Sequence, residues 1–218
     1  MGVSNENKRR IVKDDYNAIA NIYAESYSEI DYCKKYIDEF IGGLAGKKVL
    51  DIGCGAGQIT DYLTRKGFNV VGIDFSQKLL EIAKTNFPNS RFSLADICEY
   101  EQKEKVDGII TKDMLFHLPD EDLIQVLQRF RRLLKSDGSL CIIMDIPKQA
   151  GEQIFVEELD ENYQIYYNYL TPEKLTKMLE DTGFGVESVQ LIKENDGASS
   201  YASGLMVFQA SNQKVKEQ

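Results

Sequence analysis

The sequence predicts an α/β protein: an open, doubly wound sheet of seven strands, mostly parallel, with helices on both faces and an antiparallel C-terminal hairpin strand. Three features carry that reading. Short apolar runs of strand length alternate with stretches whose apolar residues recur every three or four positions. Residues 47–74, KKVLDIGCGAGQITDYLTRKGFNVVGID, read as strand, glycine turn, helix and strand, a βαβ unit. Near the C-terminus two apolar runs, 186–192 and 201–210, flank the turn-rich stretch 193–200 and so make a hairpin. At 218 residues, with 43% hydrophobic and 28% charged side chains, the chain is long enough to bury one full core and has the balance of a soluble globular domain.

Taken in order, residues 1–13 are polar and expected to fray. From Asp14 a helical face carries Tyr16, Ile19, Ala20, Tyr23 and Tyr27, and a second carries Tyr32, Tyr36, Ile37, Phe40, Ile41 and Leu44 before glycines 42, 43 and 46 end it. Residues 1–46 are therefore read as an N-terminal helical cap, 47–210 as the main domain and 211–218 as a polar tail. Within the βαβ unit, Val49 to Ile52 form a strand, Gly53, Gly55 and Gly57 the turn, and Ile59, Tyr62 and Leu63 one face of the helix. The second strand, from Val70, ends in Asp74. Glycines let the backbone turn sharply and approach a ligand closely, and the following helix offers free N–H groups. Asp74, at the tip of the second strand, is placed to accept both hydroxyl hydrogens of a ribose. Cys54 has the small side chain such a turn admits.

Beyond Phe75, Ser76 suits the N-cap of a helix carrying Leu79, Leu80, Ile82, Ala83 and Phe87, stopped by Pro88. A short strand, 91–94, leads to Asp96 and Ile97, and a fourth, 106–111, runs into Lys112, Asp113 and His117. The carboxyl end of a central strand is where reacting groups belong in an open α/β sheet. Asp120 opens a helix that Gly138 is expected to terminate, and 140–146 read as a buried strand. An insertion at 147–170 holds Phe155, Tyr163, Tyr166, Tyr167 and Tyr169, which suit either a substrate lid or the inner face of an ordinary helix. Thr171 and Pro172 begin the last helix and Gly183 ends it.

What the glycine pattern lacks narrows the ligand. The dinucleotide fingerprint would need its third glycine at Gln58, whereas here it stands at Gly57, and Asp51 puts a carboxylate beside the turn. A carboxylate there favours a ligand bearing an ammonium or sulfonium over a pyrophosphate. The run Asp51-x-Gly53-x-Gly55-x-Gly57 with Asp74 closing the next strand resembles the class I S-adenosylmethionine-dependent methyltransferases, above all the small-molecule branch that includes the quinone-biosynthesis enzymes. The resemblance covers roughly residues 14 to 210 and implies a Rossmann-like fold, S-adenosyl-L-methionine as cofactor and methyl transfer to a small acceptor.

It further implies that Asp51 and Gly53, Cys54, Gly55 and Gly57 hold the methionyl end, Asp74 the ribose, and Asp96 and Ile97 the adenine. Phe75, Lys112, Tyr16 and Tyr23 join the cofactor-contacting set, and the segment 147–170 lies where the family builds its substrate lid. His117, Asp113 and Tyr27 are the candidate proton acceptors or polarising groups, and the spacing does not choose among them. Two alternatives remain: a nicotinamide-dependent oxidoreductase on a similar sheet, and a non-catalytic S-adenosylmethionine-binding protein.

Composition bounds the partners. A net charge of −9 works against nucleic acid, because phosphate contacts need a basic surface. The one basic cluster, Arg129, Arg131, Arg132 and Lys135, is expected to complement a helix dipole. Cys33, Cys54, Cys98 and Cys141 are scattered, with one histidine in the chain, so neither a metal site nor a disulfide framework is expected. The absence of membrane-length apolar runs and of a signal-peptide core makes a cytoplasmic location the expectation; a monomer and a homodimer both stay open.

Overall fold

The structure, a computed structural model, describes residues 3–148, 151–193 and 202–212. Helices α1 (Asn5–Ala18), α2 (Ala20–Ser26) and α3 (Asp31–Gly42) precede strand β1 (Lys48–Ile52). Then follow α4 (Gln58–Arg65), β2 (Asn69–Asp74), α5 (Gln77–Asn86), β3 (Phe92–Leu94) and β4 (Val106–Lys112). A 3₁₀ turn (Leu115–His117) leads to α6 (Asp120–Leu133) and β5 (Leu134–Pro147). A separate hairpin, β6 (Gly151–Val156) and β7 (Gln164–Tyr169), comes before α7 (Pro172–Asp181), β8 (Phe184–Lys193) and β9 (Ala202–Asn212).

The main sheet has the order β3-β2-β1-β4-β5-β9-β8. Its strands are parallel except β9, which runs antiparallel to both β5 and β8. Adjacent residues of a strand point to opposite faces, and the central strands are apolar on both. Leu50, Ile109 and Ile142 pack with Leu123, Leu127 and Phe130 of α6 on one face. Val49, Ile110 and Ile143 pack with Ile37 and Phe40 of α3 and Ile59 and Leu63 of α4 on the other. The near-continuous hydrophobicity of these strands follows from burial on both sides. The chain reverses its winding between β1 and β4, so their carboxyl ends open a crevice there.

Four local expectations are corrected. The N-terminal stretch does not fray: Ser4 Oγ accepts the Asn7 N–H at 3.3 Å, and α1 begins at Asn5. The single helix expected from Asp14 is broken at Ile19, whose ψ of 4° leaves helical geometry, and α2 starts afresh. Segment 147–170, expected as either a substrate lid or the face of a helix, loses the helix reading: it contains a β-hairpin, with Tyr167 and Tyr169 stacked 5.8 Å apart on one face of β7, as the strand period requires. Gly138 lies inside β5, because the chain leaves α6 at Leu134 directly into extended backbone (ψ 146°).

At the C-terminal side β9 runs to Asn212, two residues into the stretch expected as a tail. The Asn212 amide donates to the Lys135 carbonyl at 2.7 Å and to that of Arg131 at 3.2 Å. The basic cluster ties α6 to its neighbours: Arg129 donates to the Cys98 and Tyr100 carbonyls, both at 2.8 Å, and Lys135 pairs with Asp107 at 2.6 Å. Of the turn expected at 193–200, Lys193 ends β8 and 194–200 lie outside the described residues, as do the start of the last strand at Tyr201 and the tail beyond 212. No helix among the described residues is long and apolar enough to cross a membrane.

Thr171 caps α7 by accepting the Lys174 N–H at 3.2 Å, with Pro172 in the first turn. Thr171→Ala should cost about 1 kcal/mol, read as a lower urea midpoint; an unchanged midpoint would deny the cap.

Candidate active site

The glycine turn is held from the neighbouring strand. Gly53 and Cys54 both donate their N–H groups to the Ile73 carbonyl, at 2.8 and 3.0 Å, and Gly57 donates to Cys54 at 2.9 Å. Gly53 and Gly57 have φ of 72° and 92°, where a side chain is strained. There is also no room: a Cβ on Gly53 would stand 2.6 Å from Met114, and one on Gly57 would stand 2.8 Å from the Phe92 ring. The turn is a bare-backbone cradle at the carboxyl end of β1. Tyr23 of α2 lies over Gly55, 3.5 Å from where its Cβ would be.

Asp74 locks the cradle. Its Oδ2 accepts the Gly55 N–H and its Oδ1 the Ser76 N–H, both at 2.8 Å. Burial raises this carboxyl to about 6, against the pull of those N–H donors. Asp51, like Cys54, Gly55 and Gly57, is absent from the lining of both cavities described below; it is 1% exposed and accepts the Thr60 hydroxyl at 2.6 Å, which braces α4 from beneath the turn. Burial first, then the nearby Asp74 charge, lifts it to about 7 despite the Thr60 bond. Cys54 Sγ packs beside Gly72, and burial pushes its thiol well above the ordinary range, which leaves it a packing residue.

Two cavities lie at the carboxyl ends of the strands. The smaller, about 50 Å³, is lined by Gly53, Asp74, Phe75, Asp96 and Ile97 together with Arg9, Val12, Met114, His117 and Leu118. One Asp96 oxygen accepts the Cys98 N–H at 2.8 Å and so turns the loop after β3. The larger cavity, about 400 Å³, brings together Tyr16, Tyr23, Tyr27, Lys112 and Asp113 with residues of the hairpin and Asp145 of β5. Sequence reasoning missed Arg9 and Val12, which lie in the stretch expected to fray, and Asp145, whose place at the end of a buried strand was a usable signal.

Tyr16 and His117 stand between the cavities, with Tyr16 hydroxyl and His117 Nε2 2.8 Å apart. His117 Nδ1 lies 3.0 Å from the Tyr166 carbonyl, which can only accept. Nδ1 therefore carries the proton and Nε2 accepts from Tyr16. Burial drives the imidazole down to about 4, and burial pushes the Tyr16 and Tyr23 phenols up. All three are neutral near pH 7. Lys112 pairs with Asp113; burial pulls this ammonium down, but the Asp113 charge and hydrogen bond together with the nearby Tyr32 and Tyr23 hold it well above its ordinary value. Asp113 has φ 51°, alone among the described non-glycine residues in being positive, and its Oδ1 is buried without a hydrogen-bond partner among them.

Residues 49–138 match the family model described as a methyltransferase domain. The ubiquinone biosynthesis O-methyltransferase of Nitrosomonas europaea is 31% identical over 161 residues, covering 68% of each chain. The chain belongs to the class I S-adenosylmethionine-dependent methyltransferases. Solved methyltransferases share the fold. The 1,6-didemethyltoxoflavin-N1-methyltransferase of Burkholderia thailandensis superposes with a TM-score of 0.75 at 15% identity, over 98% of this chain and 92% of that one. An S-adenosylmethionine-dependent methyltransferase from Clostridium acetobutylicum gives 0.69 at 17% identity, over 92% and 100%. The methyltransferase uses S-adenosylmethionine and transfers its methyl group to a small molecule. Both the oxidoreductase and the non-catalytic alternatives give way to this membership.

With one histidine in the chain, its ring can be followed unambiguously by NMR. The midpoint should lie at about 4, below the ordinary 6.5. Across that interval the unfolded chain holds a proton that the folded ring refuses, so acidification at this group favours unfolding. A midpoint near 6.5 would contradict the buried, doubly bonded imidazole.

Proposed function

We propose that this methyltransferase holds S-adenosylmethionine across the smaller cavity and the glycine turn, with the methyl acceptor in the larger cavity. The observation that carries the reading is the convergence of Gly53, Asp74, Phe75, Asp96 and Ile97 on one cavity at the carboxyl ends of β1, β2 and β3. The chemistry of this donor set suits the cofactor: Asp96 and Ile97 for adenine, Asp74 for ribose hydroxyls, and the 53–57 backbone for the amino-acid end. Phe75 and Arg9 supply flat and apolar surface beside the nucleoside. Asp51 acts at one remove, by fixing the turn through Thr60.

When bound, S-adenosylmethionine supplies a methyl group already activated on sulfonium, so the chain's work is to position the acceptor and keep water out. The 151–169 hairpin serves as the substrate lid and α1 and α2 as the cap. Their closure is supported by Arg9 pairing with Asp122 at 3.0 Å, by Lys8 pairing with Glu152, and by Asn168 donating to the Leu118 carbonyl at 2.9 Å. His117 acts as a strut for Tyr16, since its Nε2 is occupied and its basicity is low. Asp113, with an unpartnered buried oxygen at the wall of the larger cavity, takes the role of accepting or orienting the acceptor's proton. Tyr27, 45% exposed, contributes wall. The net charge of −9 favours a free small molecule over nucleic acid as substrate, acted on in the cytoplasm by a monomer or homodimer.

Asp74→Ala should weaken S-adenosylmethionine binding by about 1–3 kcal/mol, the scale of a hydrogen bond to a charged group, in calorimetric titrations on protein whose circular dichroism is unchanged. Wild-type affinity in that variant would remove Asp74 from the ribose. Turnover to S-adenosylhomocysteine with small acceptors is the companion assay of activity.

A further inference from the structure

We propose that the larger cavity takes a methyl acceptor that carries a protonated amine, held between aromatic walls and the carboxylates of the hairpin and β5. The inference rests on the reading above, in which this cavity is the acceptor site. It is drawn from the charges and rings that line the cavity.

The charge on the lining is unbalanced. Asp145, Glu157 and Glu158 all border the cavity, as does Asp113, whereas the two lining cations are Lys112 and Lys148. Lys112 is paired with Asp113. Over the whole lining, four carboxylates stand against two ammonium groups, so the cavity is acidic on balance. The buried Asp15 of α1 is near these acids as well: its carboxyl is lifted to about 7, first by burial and then by Glu157 and Asp160. An anionic acceptor would enter against these carboxylates in a partly desolvated space, where like charges repel strongly. A cation would be drawn in.

The walls fit the same ligand. Phe155 stands 6.0 Å from Tyr167 and 5.8 Å from Tyr169, and the two tyrosines stack on each other. Tyr23 and Tyr27, with ring centroids 4.9 Å apart, also belong to the lining. Aromatic faces attract ammonium groups through their quadrupoles, and the attraction grows when the site is dry. Rings together with carboxylates are the composition that recognises an organic cation. An acidic phenol would instead need a strong base or an unpaired cation to carry its ionised oxygen. Here the imidazole is spent on Tyr16 and the buried lysine on Asp113, and the remaining lining cation, the exposed Lys148, stands against Asp145, Glu157 and Glu158.

The test is calorimetric. Protein is first titrated with S-adenosylhomocysteine, then, saturated with it at pH 7, with benzylamine, benzyl alcohol and benzoate, which share a ring and differ in charge. Benzylamine is expected to bind at least about tenfold more tightly than benzyl alcohol, and benzoate most weakly, a margin worth about 1.4 kcal/mol. In a variant combining Glu157→Gln and Glu158→Gln, on the hairpin and away from the sheet, the margin should shrink several-fold while benzyl alcohol binding stays as in the wild type. Any smaller preference for the amine, or no measurable binding of the three, overturns the proposal while leaving the cofactor reading intact. Failure of S-adenosylhomocysteine to bind in the first titration overturns the cofactor reading, and the amine proposal with it.

Discussion

One carboxylate joins the parts of this site. Asp74 ends β2 and takes the N–H of Gly55 on one oxygen and that of Ser76 on the other, so the glycine turn and the start of α5 share an anchor. Ser76 then caps α5 through its hydroxyl, which also donates to Asn17 of α1 at 3.0 Å. Asn17 accepts the Lys78 N–H as well. Through this short relay the sheet, the turn and the N-terminal helices are set relative to one another. That is how Arg9, Val12 and Tyr16, far from the motif in sequence, come to border the same crevice.

The relay has an electrostatic counterpart. Asp51 and Asp74 are buried close to each other, and burial raises both, to about 7 and about 6. Two carboxylates concentrated beneath one turn cost solvation energy that hydrogen bonds from Thr60, Gly55 and Ser76 only partly return. A ligand with a positive centre near the turn relieves that cost. The same logic extends to the larger cavity, where acids again outnumber cations, and to the neutral Tyr16–His117 pair, which separates the two spaces without adding charge.

The legible parts of the chain were those in which each residue has a local reason. The glycine turn could be read because Gly53 and Gly57 adopt positive φ with no room for a side chain. Ser76 and Thr171 were readable as caps because capping depends on a side chain a few residues from its target. The hairpin was not legible. Tyr163, Tyr166, Tyr167 and Tyr169 fit the helical period about as well as the strand period, and the choice is made by pairing with β6 and by Asn168 reaching α6. The beginning of α1 was hidden for a similar reason: NENKRR is polar throughout, and its order comes from distant partners such as Asp122. Asp51 shows a third limit. Its residue type and position do not disclose the partner that the fold gives it, the hydroxyl of Thr60, the third residue of α4.

The most direct test is a crystal structure of the protein with S-adenosylhomocysteine. The account predicts adenine beside Asp96 and Ile97, ribose hydroxyls on the Asp74 carboxylate, the amino-acid end against the 53–57 turn, and Asp51 still bonded to Thr60. A nucleoside lodged in the larger cavity, or a ribose that meets neither Asp74 oxygen, would contradict it.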